Sequence, residues 1–416
     1  MMRRNFKRAG IMLAAMGMLM SGSTAFAEEQ VTLEMFNMKT EIVDILNGLI
    51  EEYEAENPNV TISLNTPSDA PTVLSTRMAS DDTPDIFTVW PKASFFEQVD
   101  AGYVMNLADT GCMDNINETA REQWLYNGGE YAATISYNFA GIWYNKAIFE
   151  ECGITEFPNT MEGLKEVCAT LTEKGYTPFV VGAQKTDQTV QHCYLSMASY
   201  FNDEEYAAYL EDLNAKQVNL EDSVYAQCFA EVGTVLSEIA ANSQDDILGY
   251  DDSAAVADFA NGKAAMMIDG TWKLPAILAA NPEMDCGIAA IPGETAEDTR
   301  VAAYPGDFSL CASASLEGAE KEAALDFIKW MTSTETATKY AEADGSPSCI
   351  IGVDYVADQF REIYDTYLAA GNFILNPDCK WNSAQITAVG AAVQEVYYNK
   401  DAENFTANIQ EALNNN

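Results

Sequence analysis

The stretch Phe259–Trp272 reads FANGKAAMMIDGTW and predicts a helix end, a buried strand and a turn. Asn261-Gly262 favours the end of a helix, because glycine readily adopts the left-handed conformation found there. The continuous apolar run Ala264–Ile268 is typical of a strand covered on both faces in an α/β sheet. A turn at Asp269-Gly270-Thr271 then places Trp272 just past the carboxyl end of the strand, where open α/β sheets bind ligands. Trp272 is therefore a candidate ligand contact, with core packing as the alternative.

Two other segments share this organisation. Thr83–Trp90 (TPDIFTVW) contains a buried β run that ends at a second tryptophan. Ala140–Phe149 (AGIWYNKAIF) is an apolar strand that breaks at Asn145-Lys146 into a helix. Strands that alternate with helices in this way predict an α/β protein.

The spacing of apolar residues predicts further elements along the chain. A helix between two β runs opens the sequence and makes a βαβ unit. The predicted strands are Val31–Phe36, Val60–Leu64 and Tyr176–Val181, and the predicted helices are Glu41–Glu56, Thr160–Lys174 with Asn159 as N-cap, Ala319–Met331 and a terminal region over 384–413.

The order and spacing of these motifs resemble the extracellular solute-binding proteins of carbohydrate ABC importers (family 1), the superfamily of the maltose-binding protein. Besides the three segments above, the resemblance includes the opening strand and helix, Asp285–Pro292 (DCGIAAIP), Ala319–Met331 (AEKEAALDFIKWM) and Gly345-Ser346-Pro347. It covers nearly the whole chain after the first 27 residues. It implies an α/β, two-lobed periplasmic-binding-protein-like fold with a hinge and an interlobe ligand cleft.

The resemblance also implies how the chain divides between the lobes. The N-terminal lobe would comprise 28–138 plus 303–346, and the C-terminal lobe 139–302 plus 347–416. Crossings near Asn138, Val301–Gly306 and Pro347 would form the hinge. A ligand would favour the closed form, because only there do both lobes touch it.

Residues 1–27 are typical of a secretory signal peptide. Four basic residues precede a short apolar stretch over 9–20, and Ala25-Phe26-Ala27 predicts cleavage after Ala27. The apolar stretch is too short to span a bilayer, although an uncleaved anchor is the alternative. No cysteine stands at the cleavage site to carry a lipid. We therefore expect an exported protein that is periplasmic or extracellular and associated with the cell surface.

The formal net charge of the chain is −42 at pH 7, which excludes one class of partner. A strong negative charge repels phosphate backbones, and nucleic acid is therefore a poor partner. A solvated acidic surface accounts for most of this charge. A cleft that takes a cation such as a polyamine is the alternative ligand class.

Residue types that would indicate catalysis or a metal site are scarce. His192 is the only histidine, and a single histidine is not expected to build a zinc site or a Ser-His-Asp triad with partners of the usual kinds. No Gly-rich phosphate loop or calcium-loop spacing occurs. We predict a protein that is not an enzyme and binds no cofactor or metal; a secreted glycoside hydrolase is the alternative from a different class.

Nine cysteines, an odd number without a Cys-x-x-Cys pair, argue against a disulfide framework. Cys168 lies on the apolar face of a predicted helix, where cysteine behaves as a small hydrophobic residue. We therefore expect mostly free, buried thiols.

The resemblance assigns candidate ligand contacts to positions that follow strands or lie at crossings. Sugars present apolar C–H faces and a rim of hydroxyls, which aromatic rings and short polar side chains match. The candidates are Trp90 and Trp272 from opposite lobes, Trp381, Asn138, Gly306, Asp307, Asn37, Lys39 and Gln184. Trp124, Trp143, Tyr144 and Trp330 are predicted to pack in the core.

Asn138 departs from the maltose-binding protein, which places a carboxylate at this position. We expect a sugar or oligosaccharide as ligand, a monomeric state, and delivery of the solute to the permease subunits of an ABC transporter.

Overall fold

The apolar runs form strands of one shared nine-stranded sheet, and the amphipathic segments form helices that cover it; two short strands form a separate two-stranded sheet. The computed structural model describes residues 30–415. The strands are β1 Val31–Phe36, β2 Val60–Asn65, β3 Ile86–Thr88, β4 Leu125–Tyr126, β5 Gly129–Glu130, β6 Ala133–Asn145, β7 Thr177–Val180, β8 Ala264–Gly270, β9 Cys286–Ala289, β10 Val301–Ala312 and β11 Phe373–Leu375.

The helices differ in length from 3 to 17 residues. They are α1 Val43–Glu56, α2 Ala70–Met78, α3 Ala93–Asp100, α4 Glu118–Glu122, α5 Lys146–Cys152, α6 Met161–Glu173, α7 Thr186–Met197, α8 Asp203–Ala215, α9 Ala226–Ala241, α10 Asp252–Ala260, α11 Leu274–Ala280, α12 Gly318–Met331, α13 Thr334–Asp344, α14 Arg361–Ile363, α15 Ser383–Asn399 and α16 Phe405–Asn415. Short 3-10 turns include Thr40–Ile42 and Thr271–Lys273.

The main sheet has the strand order β2-β1-β3-β10-β6-β8-β7, with β11 paired to β10 and β9 paired to β6. β1 is parallel to β2 and to β3, and β7 is parallel to β8. The long strands β6 and β10 run antiparallel to each other at the centre. They connect the β1–β3 side of the sheet to the β7–β8 side.

A bulge interrupts the pairing of β10 with β6. The register shifts between residues 305 and 308, so Gly306 and Asp307 are extra residues on β10. Gly306 has φ +124°, and a Cβ at this position would lie 2.7 Å from the ring of Trp124. The bulge therefore requires glycine at this position.

The buried apolar side chains form two separate cores. The buried members of two clusters come only from 31–137 and 308–350, and we call these clusters the first core. The buried members of the other two come only from 139–302 and 356–413, and form the second core. Each core belongs to one lobe, as expected for a two-lobed α/β fold.

The structure confirms most of the predicted elements and corrects two details. Thr160, not Asn159, is the N-cap of α6, because its hydroxyl accepts a hydrogen bond from Gly163 N at 3.2 Å. β8 continues to Gly270 and passes directly into a 3-10 turn, so Asp269 is a strand residue rather than a turn residue.

The predicted core aromatics pack as expected. Trp124, Trp143 and Tyr144 are buried. Trp330 is half-buried, lies 5.4 Å from the ring of Tyr53 and donates from Nε1 to Glu56.

The eight cysteines whose side chains are described are free and buried, which confirms the expectation for them. Among residues 30–415 we find no helix both long and apolar enough to cross a membrane. The predicted signal peptide, 1–27, lies outside the described residues.

Candidate functional site

A cavity of about 310 Å³ lies between the two lobes and receives side chains from both. Its size falls at the lower end of small-molecule sites. The lining residues are Glu41, Trp90, Pro91, Lys92, Gln123, Asn138, Asp187, Gln191, Tyr194, Trp272, Ala303, Tyr304, Gly306, Asp307 and Asn376.

Aromatic rings form the wall on the side of the C-terminal lobe. The ring of Tyr304 lies 5.5 Å from Trp272 and 5.6 Å from Tyr194, in edge-to-face arrangements. β8 ends at Gly270, and Trp272 lies two residues further along the chain. A Cβ at position 270 would lie 2.1 Å from the indole of Trp272. Glycine thus lets the indole fold back over the end of its own strand. The hydroxyl of Tyr304 is buried and has no hydrogen-bond partner among the described residues.

Trp90 faces the cavity from the N-terminal lobe. It follows β3, and the ammonium of Lys92 lies 5.9 Å from the centre of its ring. A cation at this distance interacts favourably with the ring. Trp90 therefore presents an aromatic face beside a positive charge, whereas Trp272 packs edge-to-face against the ring of Tyr304.

Asn138 lies on β6 at the floor of the cavity and is 1% exposed. Its Oδ1 accepts hydrogen bonds from Thr271 Oγ1 at 2.6 Å and Ser346 Oγ at 3.2 Å. Thr271 Oγ1 itself accepts from Phe139 N at 3.2 Å, so its proton goes to Asn138. The Asn138 Nδ2 group is buried without a partner among the described residues. A buried donor of this kind is costly unless a ligand or water accepts its hydrogen bond.

Asp307, on the β10 bulge, lines the cavity and binds the ammonium of Lys39 through Oδ2. Burial raises the pKa of Asp307 to about 6, and Lys39 opposes that rise. Burial disfavours the charge of Lys39, but the carboxylates of Asp307, Asp344 and Glu41 raise its pKa above the usual value. Both groups are therefore ionised at pH 7.

Five of the nine predicted contacts line this cavity. They are Trp90, Asn138, Trp272, Gly306 and Asp307. The sequence patterns that selected them place each after a strand or at a crossing, and that is where the two lobes face each other.

The other four predicted contacts lie away from the cavity surface. Trp381 is fully buried in the second core and donates from Nε1 to the hydroxyl of Tyr209 at 2.7 Å, so its ring supports Tyr194 from behind. Asn37 and Lys39 are buried beneath the lining, since Asn37 bonds its own backbone turn and Lys39 bonds Asp307. Gln184 is exposed outside the lining.

Several lining residues were missed in the sequence. Asp187, Gln191 and Tyr194 occupy one face of α7 at helical spacing, a pattern that also suits a solvated helix. Asn376 directly follows β11, whose three residues are too short for a clear strand signal.

His192 takes no part in the cavity. It is buried, and its Nδ1 lies 2.8 Å from the hydroxyl of Tyr397. Burial lowers its pKa to about 4, so the ring is neutral at physiological pH. Among the described residues, no group of three or more His, Cys, Asp or Glu side chains could hold a metal ion.

Comparisons with known proteins agree with this architecture. Residues 39–338 match the family model of the bacterial extracellular solute-binding proteins. The multiple sugar-binding protein of Streptococcus mutans is 30% identical over 332 residues, which cover 78% of this chain and 77% of that protein.

Two solved structures share the fold. The solute-binding protein RafE in complex with raffinose superposes with a TM-score of 0.80 at 24% identity, covering 92% of this chain and 99% of that one. The apo form of RafE from Streptococcus pneumoniae superposes with a TM-score of 0.77 at 22% identity, covering 93% and 98%.

Proposed function

The chain belongs to the family of bacterial extracellular solute-binding proteins, and on that premise we propose that it captures a sugar or oligosaccharide for an ABC importer. The solute occupies the cavity between the lobes, and the loaded protein delivers it to the permease subunits.

One observation carries this proposal: aromatic faces and unpartnered polar groups meet in the same cavity. Trp90 and Trp272 offer flat apolar surfaces from opposite lobes. The buried Asn138 Nδ2 and Tyr304 hydroxyl have no partner among the described residues and can bond sugar hydroxyls. A pyranose presents both surfaces that this combination requires.

Binding would be coupled to closure of the lobes. We propose that the lobes divide near Asn138 and near the β10 bulge, where the two cores separate. Because Cys349 and Ile350 belong to the first core, we place the third crossing after Ile350 rather than at Pro347. A ligand that touches both lobes stabilises the closed state by the difference in its affinity for the two states.

The remaining features follow from this role. We propose that the protein is exported with cleavage after Ala27, acts as a monomer and has no catalytic function. A sizing experiment that finds a stable dimer with the cavity buried in its interface would contradict the monomer.

A thermal-shift screen followed by calorimetric titration tests the ligand class. The panel contains raffinose, stachyose, maltotriose, chitotriose and spermidine. We expect a sugar to raise the melting temperature, because a ligand that binds only the native state stabilises it by about 2.7 kcal/mol at a concentration of 100 Kd.

Spermidine is the instructive comparison, because Glu41, Asp187 and Asp307 all line the cavity. Lys39 neutralises Asp307, and Lys92 adds a further positive charge to the lining, which disfavours a cation. Stabilisation by spermidine alone would reject a sugar ligand. The appearance of new reducing ends during incubation with the oligosaccharides would reject the non-enzymatic role.

A further inference from the structure

Lys39 occupies a position that ligand contact does not explain. Its side chain is 3% exposed and is absent from the cavity lining, whereas Asp307, which it binds, reaches the lining. Asp307 therefore lies between Lys39 and any ligand. Since Lys39 takes Oδ2, the carboxylate oxygen left to a ligand is Oδ1.

The backbone around Lys39 is fixed by the buried side chain of Asn37. Asn37 Nδ2 donates to Lys39 O at 2.5 Å, and Lys39 N donates back to Asn37 Oδ1 at 3.1 Å. A second strand supports this turn, because Thr88 Oγ1 accepts from Met38 N at 2.8 Å. The turn after β1 is thus ordered by the protein itself and needs no ligand to define it.

The charges around Asp307 explain why a cation is needed there. Burial is the main cause that raises the pKa of Asp307, and the like charges of Asp344 and Glu41 raise it further. Asp344 ends α13 and is itself buried with one oxygen unpartnered among the described residues. The phenol of Tyr340 and the thiol of Cys349 are the other titratable groups that face this cluster. Without Lys39, protonation would be the favoured state of the Asp307 carboxyl.

We propose that Lys39 is a positioning residue that keeps Asp307 ionised and directed into the cavity, so that Asp307 accepts a hydrogen bond from a ligand hydroxyl while Lys39 never touches the ligand. This inference deepens the proposed function and rests on it for the part that concerns the ligand. A carboxylate fixed in the cavity lining selects ligands that place a hydroxyl donor next to it.

A double-mutant cycle separates positioning from direct contact. The variants are Lys39→Met, which keeps the length of the side chain, Asp307→Asn, and the two combined. Lys339→Met is the matched control, because Lys339 pairs with Glu52 on an exposed face of the N-terminal lobe. Raffinose affinity is measured by calorimetry between pH about 5 and about 8.

We expect Asp307→Asn to weaken raffinose binding by at least about tenfold, the usual effect of losing a hydrogen bond to a charged group. The double variant should bind no more weakly than Asp307→Asn, because two residues that act as a unit are not additive. Lys339→Met should bind like the wild type. If the losses of the two single variants multiply, Lys39 contacts the ligand itself and the inference is wrong. Unchanged binding by Asp307→Asn would also overturn it.

A ligand-free measurement keeps the inference testable if raffinose does not bind. Carbon-13 labelling of aspartate carboxyls reports the protonation of Asp307 directly. We expect the pKa of Asp307 to be about 6 in the wild type and higher in Lys39→Met. If Lys39→Met does not fold, Lys39→Arg, which retains the charge, should keep the wild-type midpoint. An unchanged midpoint in Lys39→Met would refute the positioning role, whereas failure of every sugar in the panel to bind the wild type would count against the proposed function.

Discussion

The two sides of the cavity are built by different physical means. On the side of the N-terminal lobe, a buried ion pair holds Asp307 in place, and Trp90 stands beside the charge of Lys92. On the side of the C-terminal lobe, Trp272 and its neighbouring rings form the wall, with Trp381 packed behind them. Charge fixes the first side and packing fixes the second. The first should therefore respond to pH, and the second to loss of aromatic volume.

The largest effect should come from Trp381, the ring behind the aromatic wall. Trp381→Ala removes a fully buried indole that also donates to Tyr209. We expect the free energy of unfolding to fall by about 3–5 kcal/mol, as for other core aromatics. Chemical denaturation of the unliganded protein measures this change. Trp381→Ala with wild-type stability and lost raffinose binding would return this residue to the ligand site.

Trp272 and Trp381 show how far the sequence could predict the site. In the sequence, both tryptophans have polar or small residues as neighbours and lie near the end of a helix or strand. Trp272 follows a strong strand signal, whose carboxyl end must open to the cleft. Trp381 follows β11, a strand of three residues with a weak sequence signal. The local sequence therefore did not show whether its ring points into the cavity or into the core. The direction of a ring depends on partners such as Tyr209, far away in sequence.

Trp272→Ala should show the opposite balance of effects. Its half-buried ring lies in the cavity wall. Truncation of a stacked aromatic should weaken raffinose binding by about 2 kcal/mol or more, on the order of thirtyfold. Stability without ligand should change little. Calorimetric titration and unliganded melting measure the two quantities. Trp90→Ala is the matched variant on the other side of the cavity, and we expect a smaller loss there, because among residues 30–415 no ring packs against Trp90 as Tyr304 packs against Trp272.

A variant Trp272→Ala that binds normally but melts early would show that the aromatic wall is only a core surface. A larger effect of Trp90→Ala than of Trp272→Ala would reverse the comparison between the two sides.

The charged side of the cavity was harder to predict than the aromatic one. Lys39 and Asp307 are 268 positions apart, and no local pattern indicates that they form a pair. The resemblance placed both near ligand, but only the fold shows that one is behind the other. The helix face of α7 was missed for a related reason, since a polar stripe predicts solvent as readily as it predicts a ligand.

Acid should destabilise the C-terminal lobe through His192. The pKa of this ring is lowered from 6.5 to about 4, chiefly by burial, with Lys273 adding to the effect and Asp252 opposing it. Between these values the unfolded chain holds more protons than the folded one, so stability is full above pH about 6.5 and is lost as the pH falls. We expect about 2 kcal/mol of this loss between pH about 7.5 and about 5.

Denaturation of wild type and His192→Gln at both pH values measures the loss, because the variant should lack it. Tyr397→Phe is the control, since it removes the bond to Nδ1 and leaves the ring buried. An equal pH dependence in His192→Gln would assign the acid sensitivity to carboxyl groups instead.

The smallest effect concerns the contact that connects the two sides. Thr271 Oγ1 donates to Asn138 Oδ1 at 2.6 Å, and this bond ties the turn that carries Trp272 to β6 at the cavity floor. Thr271→Val keeps the shape of the side chain and removes the hydroxyl, so we expect a loss of about 1 kcal/mol in stability. Raffinose binding should weaken severalfold, because the amide of Asn138 loses one of the two hydroxyls that orient its Nδ2.

Ser346→Ala removes the other hydroxyl, which bonds Asn138 at 3.2 Å, and should have the weaker effect of the two variants. Calorimetry and urea unfolding of both variants compare the two bonds. If Ser346→Ala is the more damaging, Asn138 is oriented by the segment that follows α13 and not by the aromatic side of the cavity.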